Sequence, residues 1–454
     1  MGNACANTNA HACSLSRLID CKAVNMFPVP QFLTLLIVTS PVMIIFDGRI
    51  IHGLVIAVAA VSVAIVALRI RSGEADFLSS VIRPPAVFAL IPVFWILVQV
   101  LPLKTVGLAN PIWDSAAAAL GRPLGGSISI DPGATLVSLA RYLSVAAIAL
   151  VAAAVAVDRY RSKWILFSLV TSTTLIAAMI LIDGSGYFTF LGNGAGSAAA
   201  TDCAGFGVTL AATAALHTLE RGHGTDQGGS VIRLLLTFMA CLVTVAVCSL
   251  AVIVDATGQT YFSLTCGVAT LVVAIIIRRF RLGPWGYSAI VAIALVVATA
   301  VVALQPRKQT MDLTLMFATR APAPLIAVTQ LVLAETRWTG TGAGTFAAVL
   351  PIYRDIDELT AGPVAPTAAA AIAVEMGRPF LWAMLIAAIA LAVTLLRGSV
   401  RRGRDSLYST AGASCVVTFA LLAFGNAGLF STPALIIAAA TVGMAIAQSK
   451  SRSL

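Results

Sequence analysis

Apolar stretches of about membrane-spanning length recur along almost the whole of this chain. They lie near Phe32–Phe46, Ile51–Leu68, Ala86–Leu101, Ala134–Val157, Trp164–Ile182, Ala199–His217, Ile232–Val254, Tyr261–Ile277, Trp285–Leu304, Pro379–Leu396, Thr410–Phe430 and Pro433–Gln448. Backbone groups find no water in hydrocarbon, so a spanning segment is either a helix or part of a closed barrel. A spanning helix needs about twenty apolar residues, whereas barrel strands alternate over about ten. The runs here are continuous. The expected fold class is therefore all-α, a polytopic helical membrane protein of about twelve spans. Composition agrees: with 59% hydrophobic and 11% charged residues, 454 residues could not cover a soluble surface.

Lysine and arginine placement sets the expected orientation. Arg69/Arg71/Arg83, Arg159/Arg161/Lys163, Arg278/Arg279/Arg281 and Arg397/Arg401/Arg402/Arg404 fall in alternate short connections. Twelve spans with both termini cytoplasmic put all of them on the cytoplasmic side of a bacterial inner membrane. The net charge of +10 then reports orientation and membrane lipids as partners, not nucleic acid, because no basic run sits on a soluble domain. Cys203, Cys241, Cys248, Cys266 and Cys415 lie in or beside apolar runs, where cysteine acts as a small hydrophobe. The cysteines have no metal-ligand spacing, and neither a metal nor a cofactor is expected. Cys5, Cys13 and Cys21 sit in a polar leader ahead of Met26, which is the expected true start; otherwise the leader is a short inner tail. The expected organisation is a tail over 1–30, nine spans over 31–304, a long periplasmic loop over 305–378, and three spans with a cytoplasmic tail over 379–454. Few ionisable groups fall mid-span and no repeat is evident, which argues against a transporter.

The long loop, between Leu304 and Pro379, is where chemistry is expected. Pro322 and Pro324 can start a helix carrying Leu325, Val328, Leu331, Val332 and Ala334 as an apolar stripe, with Arg320 just before it. An arginine near the headgroups binds phosphate bidentately or serves as a plain anchor. Gly340, Gly342 and Gly344 permit a tight backbone turn but do not make the dinucleotide fingerprint. Phe346, Leu350 and Tyr353 are spaced to anchor a short helix. Arg337 and Arg354 lie near Asp355, Asp357 and Glu358, which form either a solvated face or a source of general base. Glu375 follows an apolar run at the top of a span. It is a candidate base, or it pairs with Arg378 three residues on. Arg141, about two turns into the fourth run, either snorkels or faces a polar cavity. In the first outer loop, Asp131 precedes Pro132 and can cap the next helix.

Taken together, Arg320, Gly340-Thr-Gly-Ala-Gly-Thr-Phe346, Tyr353 and Glu375-Met-Gly377 resemble the O-antigen ligase and polymerase superfamily of bacterial envelopes. Leu103, Asn110-Pro111 and Ser129-Ile-Asp131-Pro132 are similar to that family's first outer loop. The resemblance implies a metal-independent, inverting glycosyl transfer at the periplasmic face. The donor is an isoprenoid-diphosphate-linked glycan and the acceptor is a glycan or a lipid-core sugar. It makes Arg320 the diphosphate ligand. Arg141 is a second candidate on physical grounds, and Arg337 and Arg354 are further candidates for the diphosphate. The family's ligases carry His-Asn nine residues before the glutamate, and this chain has Pro366-Thr367 there. Either Glu375, Asp355 or Glu358 supplies the base, or the chain is a diverged polymerase, or it lacks activity. The competing classes are a transporter or flippase for a lipid-linked glycan and a non-catalytic part of a polysaccharide export complex.

Overall fold

The computed structural model describes residues 28–46, 48–70, 72–104, 107–186, 191, 195–222, 228–255, 257–280, 312–318, 320–354, 364–401 and 406–450. The ninth apolar run, the leader with Met26, and Asp355, Asp357 and Glu358 lie outside these residues. Among the described residues there is no strand, only an isolated bridge between Pro102 and Ser127.

The elements are α1 (Pro28–Val38), α2 (Ser40–Ile45), α3 (Arg49–Arg69), α4 (Ser72–Val100), α5 (Ile112–Leu120), α6 (Pro132–Ala156), α7 (Arg159–Gly184), α8 (Ala195–Gly222), α9 (Gly228–Asp255) and α10 (Gly258–Phe280). After them come α11 (Ala323–Glu335), α12 (Phe346–Val349), α13 (Ala368–Glu375), α14 (Arg378–Arg401), α15 (Ser406–Leu422) and α16 (Thr432–Ala447). Eight of these, α3, α4, α6 to α10 and α14, are long and apolar enough to cross a membrane. The first apolar run is broken in two at Thr39. The run expected over Thr410–Phe430 ends as a helix at Leu422 and continues through a turn into a 3-10 segment, Gly428–Phe430.

Helix α8 sits at the centre, packed by α7, α9, α15 and α16. Its composition explains this position. Ala, Gly, Ser and Thr dominate its sequence, and small residues let helix backbones approach closely. A Cβ on Gly207 would lie 2.8 Å from the Cys248 sulfur and 2.9 Å from Thr173. Helix α6 lies along α16 in the same manner, and a Cβ on Gly443 would collide with the Ala149 carbonyl.

Helix α4 starts a full fourteen residues before the expected Ala86 and runs through Pro84, Pro85 and Pro92. Proline at position i removes the N–H that would serve the carbonyl at i−4. For Pro84 that carbonyl belongs to Ser80, and the Lys450 ammonium donates to it at 2.7 Å. An ion from the far end of the chain thus replaces the missing donor.

The described residues 312–318, 320–354 and 364–377 pack together as a helical unit. Leu315, Val332, Leu333, Phe346, Leu350 and Val374 share its core. Helix α11 starts where the prolines predict, with Pro322 at its N-cap. Its buried face is Thr329, Val332 and Leu333, whereas Leu331, expected in the apolar stripe, is exposed. Helix α13 and the 3-10 segment Leu350–Tyr353 pack against α11.

Candidate functional site

The end of α4, the Ser127–Asp131 segment, the glycine loop 338–346 and the end of α13 meet at one point. Gln99, fully buried near the end of α4, joins them. Its amide nitrogen donates to the Thr339 carbonyl at 3.2 Å and to the Glu375 carbonyl at 2.9 Å. Its oxygen accepts from the Ala343 N–H at 3.1 Å, and its own carbonyl accepts from the Ser129 N–H at 3.0 Å. The Ile130 N–H donates to the Thr341 carbonyl at 2.9 Å. Trp95 and Trp113 add indole donors to the Met376 and Ser129 carbonyls. Segments far apart in sequence are therefore neighbours in space.

The glycines have a specific physical role here. Gly340, Gly342, Gly344 and Gly377 all have positive φ, at 79°, 113°, 77° and 92°. A side chain is strained in that region. Space forbids one as well: added Cβ atoms would collide with the Glu375 carbonyl, the Ser129 hydroxyl, the Ser138 hydroxyl and the Trp338 carbonyl in turn. The loop thus presses its backbone against α13, and Thr341 and Gly342 N–H groups donate to the Val374 and Glu375 carbonyls, both at 2.9 Å.

The Glu375 side chain turns back into this loop. Its Oε1 accepts from the Phe346 N–H at 3.1 Å, and the Gly344 N–H also supports it. These donors favour the carboxylate, but loss of solvent outweighs them and pushes Glu375 up to about 7. Part of the residue remains accessible. The expected alternative, a Glu375–Arg378 pair, is not the arrangement found: Arg378 pairs with Asp312 at 2.8 Å and donates to the Leu333 carbonyl. Phe346 and Leu350 are buried as their spacing predicts. Tyr353 donates its hydroxyl to Glu335 at 2.7 Å, which raises its own pKa. Arg337 donates to the Ala109 carbonyl at 3.2 Å and so ties the glycine loop to the first loop. Arg354 is half-buried just past the 3-10 segment.

Arg320 lies elsewhere. Its guanidinium pairs with Asp255, at the end of α9, at 3.3 Å, and donates to the Ser197 hydroxyl at 3.4 Å. Ser197 and Thr201 also donate to Asp255. Next to Thr201, Asp202 is fully buried. Its Oδ1 accepts from the Asn426 amide at 3.0 Å, while Oδ2 has no hydrogen-bond partner. Asn426 in turn accepts the Ala368 N–H at the start of α13 through its carbonyl. So α13, about 12 Å long, separates the Arg320 cluster from Glu375. Pro366 and Thr367 stand at the Arg320 end of that helix, where Thr367 caps it by accepting the Ala370 N–H. Arg141 donates to the Phe430 carbonyl, and Asp131 caps α6 as predicted, accepting the Ala134 N–H at 3.0 Å.

Gln99, Asp202, Asp255 and Asn426 were not singled out from sequence. Gln99 and Asp202 carry a readable signal, since each interrupts an apolar run and polar groups there are costly. Asp202 is one of the few ionisable groups inside an apolar run. Asp255 and Asn426 stand at run ends and offer no such signal. No family model matches the chain, and comparison with curated proteins finds no match.

Proposed function

We propose that this protein transfers a glycan from an isoprenoid-diphosphate donor to a glycan or lipid-core hydroxyl during envelope or exopolysaccharide synthesis. In this reading the site faces the periplasm and both termini are cytoplasmic. The carrying observation is the convergence of the first loop, the glycine loop and Glu375 on Gln99. A rigid backbone knot at a bundle end, holding one carboxyl with a pKa near 7, is what general-base work at neutral pH requires.

The step needs little else. The acceptor hydroxyl attacks the anomeric carbon, its proton passes to a carboxylate, and the sugar–diphosphate bond breaks. Glu375 is the first choice of base, with Asp355 and Glu358 as alternatives. Arg320 receives the charge on the leaving diphosphate. As found, Arg320 is paired with Asp255, so the diphosphate takes the place of that carboxylate or shares the guanidinium with it.

Gene deletion followed by gel analysis of envelope polysaccharide tests this reading. Loss of polymer or of its attachment, reproduced by Arg320→Ala at normal expression, supports it. Unchanged chain length and attachment sink it. The second reading, a non-catalytic member of an export complex, draws support from Pro366, which stands where the resembled ligases keep histidine, and from the hydrogen bonds that tie the Glu375 carboxyl to backbone. It requires Glu375→Gln to leave polymer yield intact.

A further inference from the structure

Helix α16 begins with polar groups that the protein does not use. Ser431, its N-cap, makes no capping bond. The Ser431 and Thr432 hydroxyls are both buried without a hydrogen-bond partner, and Thr432 is only 5% exposed. A buried hydroxyl left unpaired costs about 1–3 kcal/mol, so two at one helix start form a site lacking its acceptor. The surroundings specify that acceptor's charge. The start of a 16-residue helix carries partial positive charge. The Arg141 guanidinium binds the carbonyl of Phe430, two residues before Thr432.

Arg141 and Thr432 line one recess together with His52 and Ser144. Among the described residues no carboxylate lines it. The rest of its wall is aliphatic, including Val55, Ile56, Ile148 and Ile436 from α3, α6 and α16. A soluble phosphate would gain nothing from that wall. A phosphate ester with a hydrocarbon chain uses both parts: the phosphate meets Arg141, the two hydroxyls and the helix start, while its first methylenes lie along the aliphatic side.

We infer that the start of α16 and Arg141 bind an amphiphilic phosphate, the headgroup of a lipid whose chain follows the α3–α6–α16 recess. A glycerophospholipid and an isoprenoid diphosphate share this chemistry. The site is separate from the Arg320–Asp255 cluster and does not depend on the glycosyl-transfer reading.

The test uses the purified full-length chain in uncharged detergent, with bound mass read by native mass spectrometry. The probes are dihexanoyl phosphatidylglycerol, farnesyl diphosphate and inorganic phosphate. Saturable binding of at least one amphiphile is expected, and the tighter of the two identifies the lipid class. Arg141→Gln should weaken it about tenfold or more, and Thr432→Val about threefold. Farnesyl diphosphate held at the Arg320 cluster would add a second equivalent, lost in Arg320→Gln and kept in Arg141→Gln, which separates failure of this site from failure of the transfer reading. If Arg141→Gln does not fold, Thr432→Val and Ser431→Ala, which remove only hydroxyls, carry the test. Binding that is equal in wild type and the hydroxyl variants overturns the inference. So does inorganic phosphate binding as tightly as either amphiphile, or the absence of saturable lipid binding.

Discussion

The Phe346 N–H donates to the Glu375 carboxyl at 3.1 Å, and so closes the glycine loop onto the last residue of α13. The carboxyl is held by backbone on one side and is short of water on the other, which is why it titrates near neutrality.

This has a pH signature. Folding raises Glu375 from its ordinary value of 4.5 to about 7. Across that window the folded protein holds a proton that the unfolded chain has released, so stability falls as pH rises and levels off above it. The full effect is on the order of 3 kcal/mol. Glu375→Gln should flatten the slope and raise the apparent Tm at about pH 8 relative to wild type. Identical Tm-against-pH curves for the two proteins would contradict the assignment.

Gln99→Leu removes a side chain that makes three hydrogen bonds to the loop. The Ala343 N–H and the Thr339 carbonyl lose their partner, while the Glu375 carbonyl keeps the Gly342 N–H, and each buried unpaired group costs about 1–3 kcal/mol. The variant should unfold well below wild type, and limited proteolysis should cut first within 338–346. A protease pattern unchanged from wild type would show that Gln99 does not hold the loop.

Gly340→Ala and Gly344→Ala each combine positive φ with a collision against backbone or the Ser138 side chain. Each should cost at least about 1–3 kcal/mol. The Gly344 penalty should shrink in a Ser138→Gly background, because the Ser138 hydroxyl and Cβ are close obstacles there. The Gly340 penalty should not. Thermal unfolding of the wild type, Ser138→Gly, and each glycine variant in both backgrounds, six proteins in all, decides it.

Asp202 makes one hydrogen bond, to Asn426, and keeps one buried oxygen unpaired. Asp202→Asn preserves shape and an acceptor for Asn426, and should be neutral or stabilising. Asp202→Ala strands the Asn426 amide and should lower stability by about 1–3 kcal/mol. Equal Tm values for the Asn and Ala variants would show that the Asn426 bond carries no weight.

The long helices were legible because length and uninterrupted hydrophobicity leave few other solutions in lipid. The helix start at Pro322, the Asp131 cap and the buried Phe346 and Leu350 were legible for a similar reason: each depends on its immediate neighbours in sequence. The junction at Gln99 was not, because its partners lie in loops remote in sequence, and nothing local shows which carbonyls a buried amide will meet. The extension of α4 back through Pro84 was hidden for the same reason, since the group that compensates for it is Lys450. Arg320 was picked out from sequence, but its carboxylate partner, Asp255, was invisible there.

The burial of α8 bears on how the protein is made. Its best window has a mean hydropathy of 1.3, against 2.0 or more for the other seven long helices, and 89% of it is enclosed by protein. Presented alone to a bilayer, it would expose Asp202 and His217 to hydrocarbon, an expensive state. It can settle only when neighbouring helices are at hand to shield it. Membrane insertion of this segment is therefore a collective event: a nascent chain cut after α8 should hold that helix less securely than one that has also delivered α9.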